Sequence, residues 1–356
     1  MEHLRELLNT ISSMPLGEAS QTIYGELIQP PTYYLSILVA GYKRANPQVS
    51  WEDIFERFGY QAPTLKSVAG AIYDYHRIMR GDLGQRIMLG FPKLDSYMRG
   101  IRPGQVCGFM ARAGVGKTTF ACNVIVNLYR EGQGHPPVLF FSLEMPAAEI
   151  AARLFVIDRE MFPSKVEEYF TLSADAPLVA EWALLYHDLV IIDEGSLSLE
   201  EMSGLYDKSC AYLGKHIPLV VIDYMGLVSG RGGSNYERTS YVARGLKQFA
   251  KAKGTAVLSI VQTSREGGVG KERVTMAMAR DSGQIEEACD FLIGAWRPNL
   301  GEEEEDDSFS LTILKNRHGR TTDIDMMFDS RFLKIYETKE VNRWRGSDST
   351  PTYALT

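Results

Sequence analysis

From residue 101 onward, short apolar runs alternate with stretches whose apolar residues recur every three or four positions. The runs are 106–111, 138–142, 189–193, 219–223 and 256–262. A strand buried on both faces needs a continuous apolar run, and its alternation with helical periods predicts an α/β fold: a mostly parallel sheet flanked by helices. Two of the intervening helices carry start signals. Ser198 with Glu201 and Ser234 with Glu237 are capping boxes, in which side chain and backbone satisfy each other's unpaired groups. Beyond Ser234, Val242, Leu246, Phe249 and Ala250 share an inward face, and Arg244, Lys247 and Lys251 fall elsewhere. After an apolar run at 291–296, the stretches 309–314 and 323–328 read as antiparallel closing strands.

The first 80 residues have a different texture. Leu4, Leu7, Leu8 and Ile11, then Val68, Ile72, Tyr75 and Met79, recur at helical spacing, with Pro30, Pro31 and Pro63 breaking the region into pieces. The expected organisation is a small helical N-terminal region at 1–80, a linker at 81–90, the α/β domain at 91–337 and a polar tail at 338–356. The acidic run 302–307 reads as a self-repelling loop.

Composition narrows the class. In 356 residues, 45% hydrophobic and 23% charged positions describe an ordinary globular chain of about two domains. Cys107, Cys122, Cys210 and Cys289 form no CxxC pair, so neither a zinc site nor a disulfide framework is expected, and a reducing, cytoplasmic compartment is. No apolar run approaches the ~18 residues of a membrane helix, and Glu2, Arg5 and Glu6 among the leucines of 1–16 do not read as a secretion signal. The net charge is −7, yet residues 228–280 hold ten basic side chains against three acidic ones. A segment kept basic in an acidic protein suits an anion-binding surface.

The strongest chemical signal is Ala111-Arg-Ala-Gly-Val-Gly-Lys117-Thr118-Thr119, after a predicted strand and before a predicted helix at 120–130. Such a loop turns backbone N–H groups toward one point, where the helix dipole favours negative charge; Lys117 adds a cation and Thr118 a hydroxyl for Mg²⁺. Ala113, Gly114, Val115, Gly116 and Thr119 complete the phosphate cradle, while Ala111 stands where glycine is usual. Asp223 ends the strand 219–223, where a carboxylate would face the loop and hold the metal; Asp193 ends 189–193 and could do the same. Glu144, just past 138–142, would orient a water for attack on the γ-phosphate.

In order and wording these motifs resemble the ATPase domain of the DnaB-family replicative DNA helicases, which are RecA-like ATPases. The resemblance covers about residues 89–336 and rests on Gly90-Phe-Pro-Lys-Leu-Asp95, the phosphate loop, Phe141-Ser-Leu-Glu-Met-Pro146, Val221-Ile-Asp-Tyr224, Ser259-Ile-Val-Gln-Thr-Ser-Arg265, Arg280-Asp-Ser-Gly-Gln-Ile-Glu286 and Lys315-Asn-Arg-His-Gly319. It implies a RecA-like P-loop domain and an ATP-dependent helicase that moves on single-stranded DNA as a hexameric ring. By position, Glu144 would be the catalytic carboxylate, Asp223 the metal-side acid, with Asp193 structural, and Gln262 the γ-phosphate sensor. Lys315 and Arg317 would reach a neighbouring subunit's nucleotide, Arg317 as an arginine finger. Arg231, Lys271, Arg273, Arg280, Asp281 and Gly283 would grip DNA, with Asp281 in place of the family's glutamate. Tyr236 and Tyr241 are the candidates for stacking on bases, with packing in the core or at the helix start as the expected role. Residues 1–80 do not resemble the family's helical collar, so binding of primase or a helicase loader is not implied, although 67–80 could serve as a linker helix. The rival expectations are a RecA-like recombinase or regulatory ATPase that assembles on DNA without unwinding, and a nonhydrolysing adaptor.

Overall fold

The computed structural model describes residues 45–49, 86–130, 135–172, 177–263, 270–276, 278, 283–301 and 307–337. The chain divides into two units, Met1–Arg80 and Gly81–Thr356. The helical stripes expected in 1–80, the acidic run apart from Asp307 and the tail lie outside the described residues.

The second unit opens with the short helix α1 (Pro92–Met98), followed by β1 (Val106–Ala111), α2 (Lys117–Arg130), β2 (Val138–Ser142), α3 (Ala147–Arg159), α4 (Pro163–Leu172), α5 (Pro177–Leu185) and β3 (Leu189–Ile192). Then come α6 (Leu199–Leu213), β4 (Leu219–Asp223), α7 (Asn235–Lys253), β5 (Ala256–Gln262), α8 (Gly283–Ala288), β6 (Phe291–Trp296), β7 (Ser308–Asn316), β8 (Thr322–Asp329) and β9 (Lys334–Glu337). The nine strands form one sheet in the order β3-β2-β4-β5-β1-β6-β7-β8-β9. The first six run parallel and the last three antiparallel. Both capping boxes form, at Ser198 and Ser234.

The sheet is central because it is apolar on both faces. From β1, Cys107, Phe109 and Ala111 join a core with Phe120, Val124 and Leu128 of α2. Val106 and Met110 face the opposite way, into a core with Met202 and Tyr206 of α6 and Val242, Leu246 and Phe249 of α7. Phe109 and Phe120 stack with ring centroids 3.9 Å apart, locking the helix that follows the phosphate loop onto the strand that precedes it.

Two expectations change. Residues 86–90 are not linker: Ile87 bridges to Ile101, and Leu89 is fully buried. Ile87 and Leu89 join the core that includes Phe109 and Phe120. Helix α2 begins at Lys117 rather than Phe120, because the phosphate loop delivers the chain directly into its first turn. Helices α4 and α5 and strand β9 had no sequence signal of their own; Glu337 of β9 accepts from the backbone N–H groups of Lys93 and Leu94, fastening the last strand to α1.

Candidate functional site

The phosphate loop leaves β1 at Ala111, still the last residue of the strand. Extended backbone needs no glycine, which explains why alanine suffices there. Farther on the loop curls: Gly114 and Gly116 hold φ at 80° and 111°, values open to glycine and strained for other residues. The chain then enters α2, whose first-turn N–H groups face the loop's concavity.

Lys117 Nζ donates to the Arg112 carbonyl at 3.1 Å. Burial lowers the pKa of this ammonium, while the charges of Asp223 and Glu144 work in the opposite sense. Thr118 Oγ1 donates to Asp223 Oδ2 at 2.5 Å. Asp223 is 2% exposed. Burial pushes its carboxyl upward, resisted by the Thr118 hydrogen bond, reinforced by Glu144 and resisted again by Lys117. Its Oδ1 is buried without a hydrogen-bond partner. A carboxylate oxygen left without a donor beside a threonine hydroxyl is a hard-oxygen pair of the kind a divalent cation takes.

Strand order brings the other groups to the same edge. Ser142, the last residue of β2, is level with Asp223, and Leu143 N donates to the Asp223 carbonyl at 2.7 Å, so Glu144 emerges exposed beside β4. Gln262 ends β5 level with Ala111, exposed at the mouth of the loop. Asp193 has a different role, since its Oδ2 accepts from Ala147 N at 2.9 Å and caps α3. Sequence reasoning missed Arg153 of α3, which donates to Thr119 Oγ1 at 3.3 Å and lowers the Asp223 carboxyl electrostatically. Nothing local marks it, since its partner is on a different helix.

Lys315 and Arg317 lie at the other edge. Asn316 of β7 is level with Phe291, and Phe291 with Cys107 near the start of β1. The residues Cys107 to Ala111 therefore separate that level from the phosphate loop, about 13 Å of strand. Lys315 Nζ donates to the Glu286 carbonyl, and Arg317 Nη1 to Asp290 Oδ1 at 2.9 Å. Neither cation is brought to its own chain's phosphate loop.

The basic segment is only partly available. Lys247 pairs with Asp290, Lys253 with Asp207 and Arg273 with Asp323. Arg231 is exposed, its guanidinium 6.0 Å from the centre of the Tyr241 ring. It sits in the Gly230–Ser234 loop, closed by Glu237 accepting from Gly233 N and Ser234 N. Tyr241 packs against the second core as expected. Tyr236 does not: it is 50% exposed and lines, with Arg231 and Arg244, a groove of about 880 Å³ between α6 and α7. Lys271 is half-buried and Gly283 opens α8. Arg280 and Asp281 lie outside the described residues.

A phosphate loop, a strand-ending acid on the loop threonine, a glutamate on the adjacent strand and a polar strand-end residue by the loop make a nucleotide-hydrolysing arrangement. Residues 87–337 match the model of the DnaB-like helicase C-terminal domain. The chain belongs to that family. It is similar to the "Probable replicative DNA helicase" of Trieres chinensis, at 27% identity over 94% of this chain and 78% of that protein. Its identity to the replicative DNA helicase DnaB of Haemophilus influenzae is 25%, over 73% of this chain and 57% of the other. This chain thus spans little more than half of the Haemophilus protein. In fold it is similar to a DnaB-like replicative helicase whose structure was solved for its interactions with primase: TM-score 0.62, 21% identity, 85% of this chain and 77% of that one. That likeness confirms the RecA-like α/β architecture. No helix among the described residues is long and apolar enough to cross a membrane.

Proposed function

We propose that this DnaB-like domain is the motor of a replicative DNA helicase acting in the cytoplasm: a hexameric ring that binds single-stranded DNA in its channel, hydrolyses ATP with Mg²⁺ at its subunit seams, and separates strands. The observation that carries the reading is the opposed placement of two half-sites. Lys117, Thr118, Glu144, Asp223 and Gln262 belong to the C-terminal edge of the parallel strands, whereas Lys315 and Arg317 belong to the opposite edge. A complete site then needs a second protomer, which makes turnover conditional on closing an interface.

Within that site, Lys117 and the cradle of Ala113, Gly114, Val115, Gly116, Thr118 and Thr119 bind the phosphates. Among the described residues no group of three or more His, Cys, Asp or Glu could hold a metal by itself. Thr118 and Asp223 would hold Mg²⁺ together with nucleotide oxygens, and the ion would supply charge neutralisation of the phosphates. Glu144 orients and deprotonates the attacking water, Gln262 senses the γ-phosphate, and Arg317 with Lys315 meets the charge developing on the neighbour's phosphoryl group. A planar, permanently charged guanidinium suits that role better than an ammonium. Arg231, Lys271, Arg280, Asp281 and Gly283 bind the DNA, with Arg273 contributing least because Asp323 already matches its charge.

The test is ATP turnover and strand separation as a function of assembly, with oligo-dT present and the particle imaged on a nonhydrolysable ATP analogue. The expected result is turnover that rises with ring formation. A verified single protomer hydrolysing ATP at the full rate would overturn the reading.

A further inference from the structure

Arg317 is held by a carboxylate that no motif announces. Asp290, immediately before β6, is 1% exposed. Its Oδ1 accepts from Arg317 Nη1 at 2.9 Å; its Oδ2 accepts from Val106 N at 2.9 Å and from Lys247 Nζ at 2.5 Å. One buried acid is thus shared by two cations from different elements.

The surroundings comprise the turn that bears Arg317 and the helix that bears Lys247, whose Nζ also donates to the Gly104 carbonyl at 2.8 Å. The turn bearing Arg317 is pinned: Asn316 Nδ2 donates to the Tyr97 carbonyl at 3.1 Å, Arg317 N to the Asp290 carbonyl at 3.0 Å, and the side chains of His318 and Gln105 hydrogen-bond at 2.6 Å. The Arg317 side chain itself is 53% exposed. With one guanidinium nitrogen spent on Asp290, donors remain for an incoming phosphate. Lys247 belongs to α7, which starts at the Gly230–Ser234 loop. One turn earlier, Arg244 Nε donates to Gln284 Oε1 on α8, at the end of the segment containing Arg280. A single helix therefore joins both segments expected on DNA to the acid that holds the arginine.

We propose that Asp290 is a positioning residue for Arg317, and that Lys247 couples it to α7, so a shift of that helix on DNA changes the hold on the arginine. The proposal rests on the reading of Arg317 as a group acting on the neighbouring subunit's nucleotide. Lys247 and Arg317 share one buried charge through its two separate oxygens, so loss of either contact leaves the carboxylate to the other cation and to Val106 N.

The test is a mutant cycle on the full, assembled chain, reading ATP-analogue affinity, kcat and stimulation of turnover by oligo-dT. Arg317→Ala should keep nucleotide affinity and lose kcat by about 10³-fold; an unchanged kcat would overturn the arginine assignment, and the proposal with it. Asp290→Asn should also keep affinity, lower kcat about tenfold, and have no further effect in the Arg317→Ala background. If Asp290→Asn lowers kcat by the same factor with and without Arg317, the acid acts through general structure and the positioning role alone is overturned. Should Asp290→Asn fail to fold, Lys247→Gln decides, since it leaves Asp290 paired with Arg317 and Val106 N. It should reduce oligo-dT stimulation about tenfold in the wild-type background and have no effect on stimulation beside Arg317→Ala; undiminished stimulation would overturn the coupling.

Discussion

The Thr118 hydroxyl donates to the Asp223 carboxylate across 2.5 Å, joining the first turn of α2 to the last residue of β4. Asp223 Oδ1 is buried and lacks a donor, which supports the proposal that this pair would hold the metal. Thr118→Val should raise the Mg²⁺ concentration needed for half-maximal turnover, and Thr118→Ser should restore it. Asp223→Ala should lower kcat on the order of 10²–10³-fold. Turnover across a Mg²⁺ titration measures both.

Because the half-sites belong to opposite edges, two inactive variants should complement. On the proposed arrangement Glu144→Ala and Arg317→Ala each spoil one half of every seam, but in mixed rings some seams join an intact edge to an intact edge. Hydrolysis should reappear on mixing under conditions of proven subunit exchange. Continued silence would remove Arg317 from the hydrolytic site.

The basic residues proposed to bind DNA should differ in what they contribute. Removing Arg231, Lys271 and Arg280 together should flatten the salt dependence of oligo-dT binding by about 2 log units per log unit, at ~0.7 per phosphate contact. Arg273→Ala should change the slope less than Arg231→Ala, because Asp323 holds the Arg273 charge at 2.7 Å. Fluorescence anisotropy over a salt series would show it.

Asp95 carries a pH dependence of opposite sign to the usual carboxylate. Its oxygens accept from the N–H groups of Leu89, Gly90 and Phe91. Even so, burial outweighs those bonds and, with the Glu337 charge adding to it, pushes the carboxyl from 3.8 up to about 6. A pKa raised on folding means the native state holds the proton more tightly. The stabilisation is therefore present below about pH 4 and lost as pH rises through about 6, an effect on the order of 3 kcal/mol. In urea unfolding, wild type should lose stability relative to Asp95→Asn across that window; a gain would reverse the assignment.

The apolar runs, the glycine loop and the capping boxes were legible because each is a local requirement. A doubly buried strand must be continuously apolar, a phosphate cradle must curl, and a helix start must satisfy its own N–H groups. The motif around Asp95 shows the limit of that legibility. Its residues stood out, but that one carboxylate gathers three backbone donors is visible only in three dimensions. Composition left Asp223 and Asp193 alike; the resemblance ranked them, and tertiary structure supplied the physical difference, giving one the Thr118 hydroxyl and the other the start of α3. It set Arg317 across the sheet from the phosphate loop, and it revealed Asp290 and Arg153, whose partners are remote in the chain. Sequence periodicity reports which faces are buried; which charge meets which depends on strand order and register, set by packing of the whole sheet.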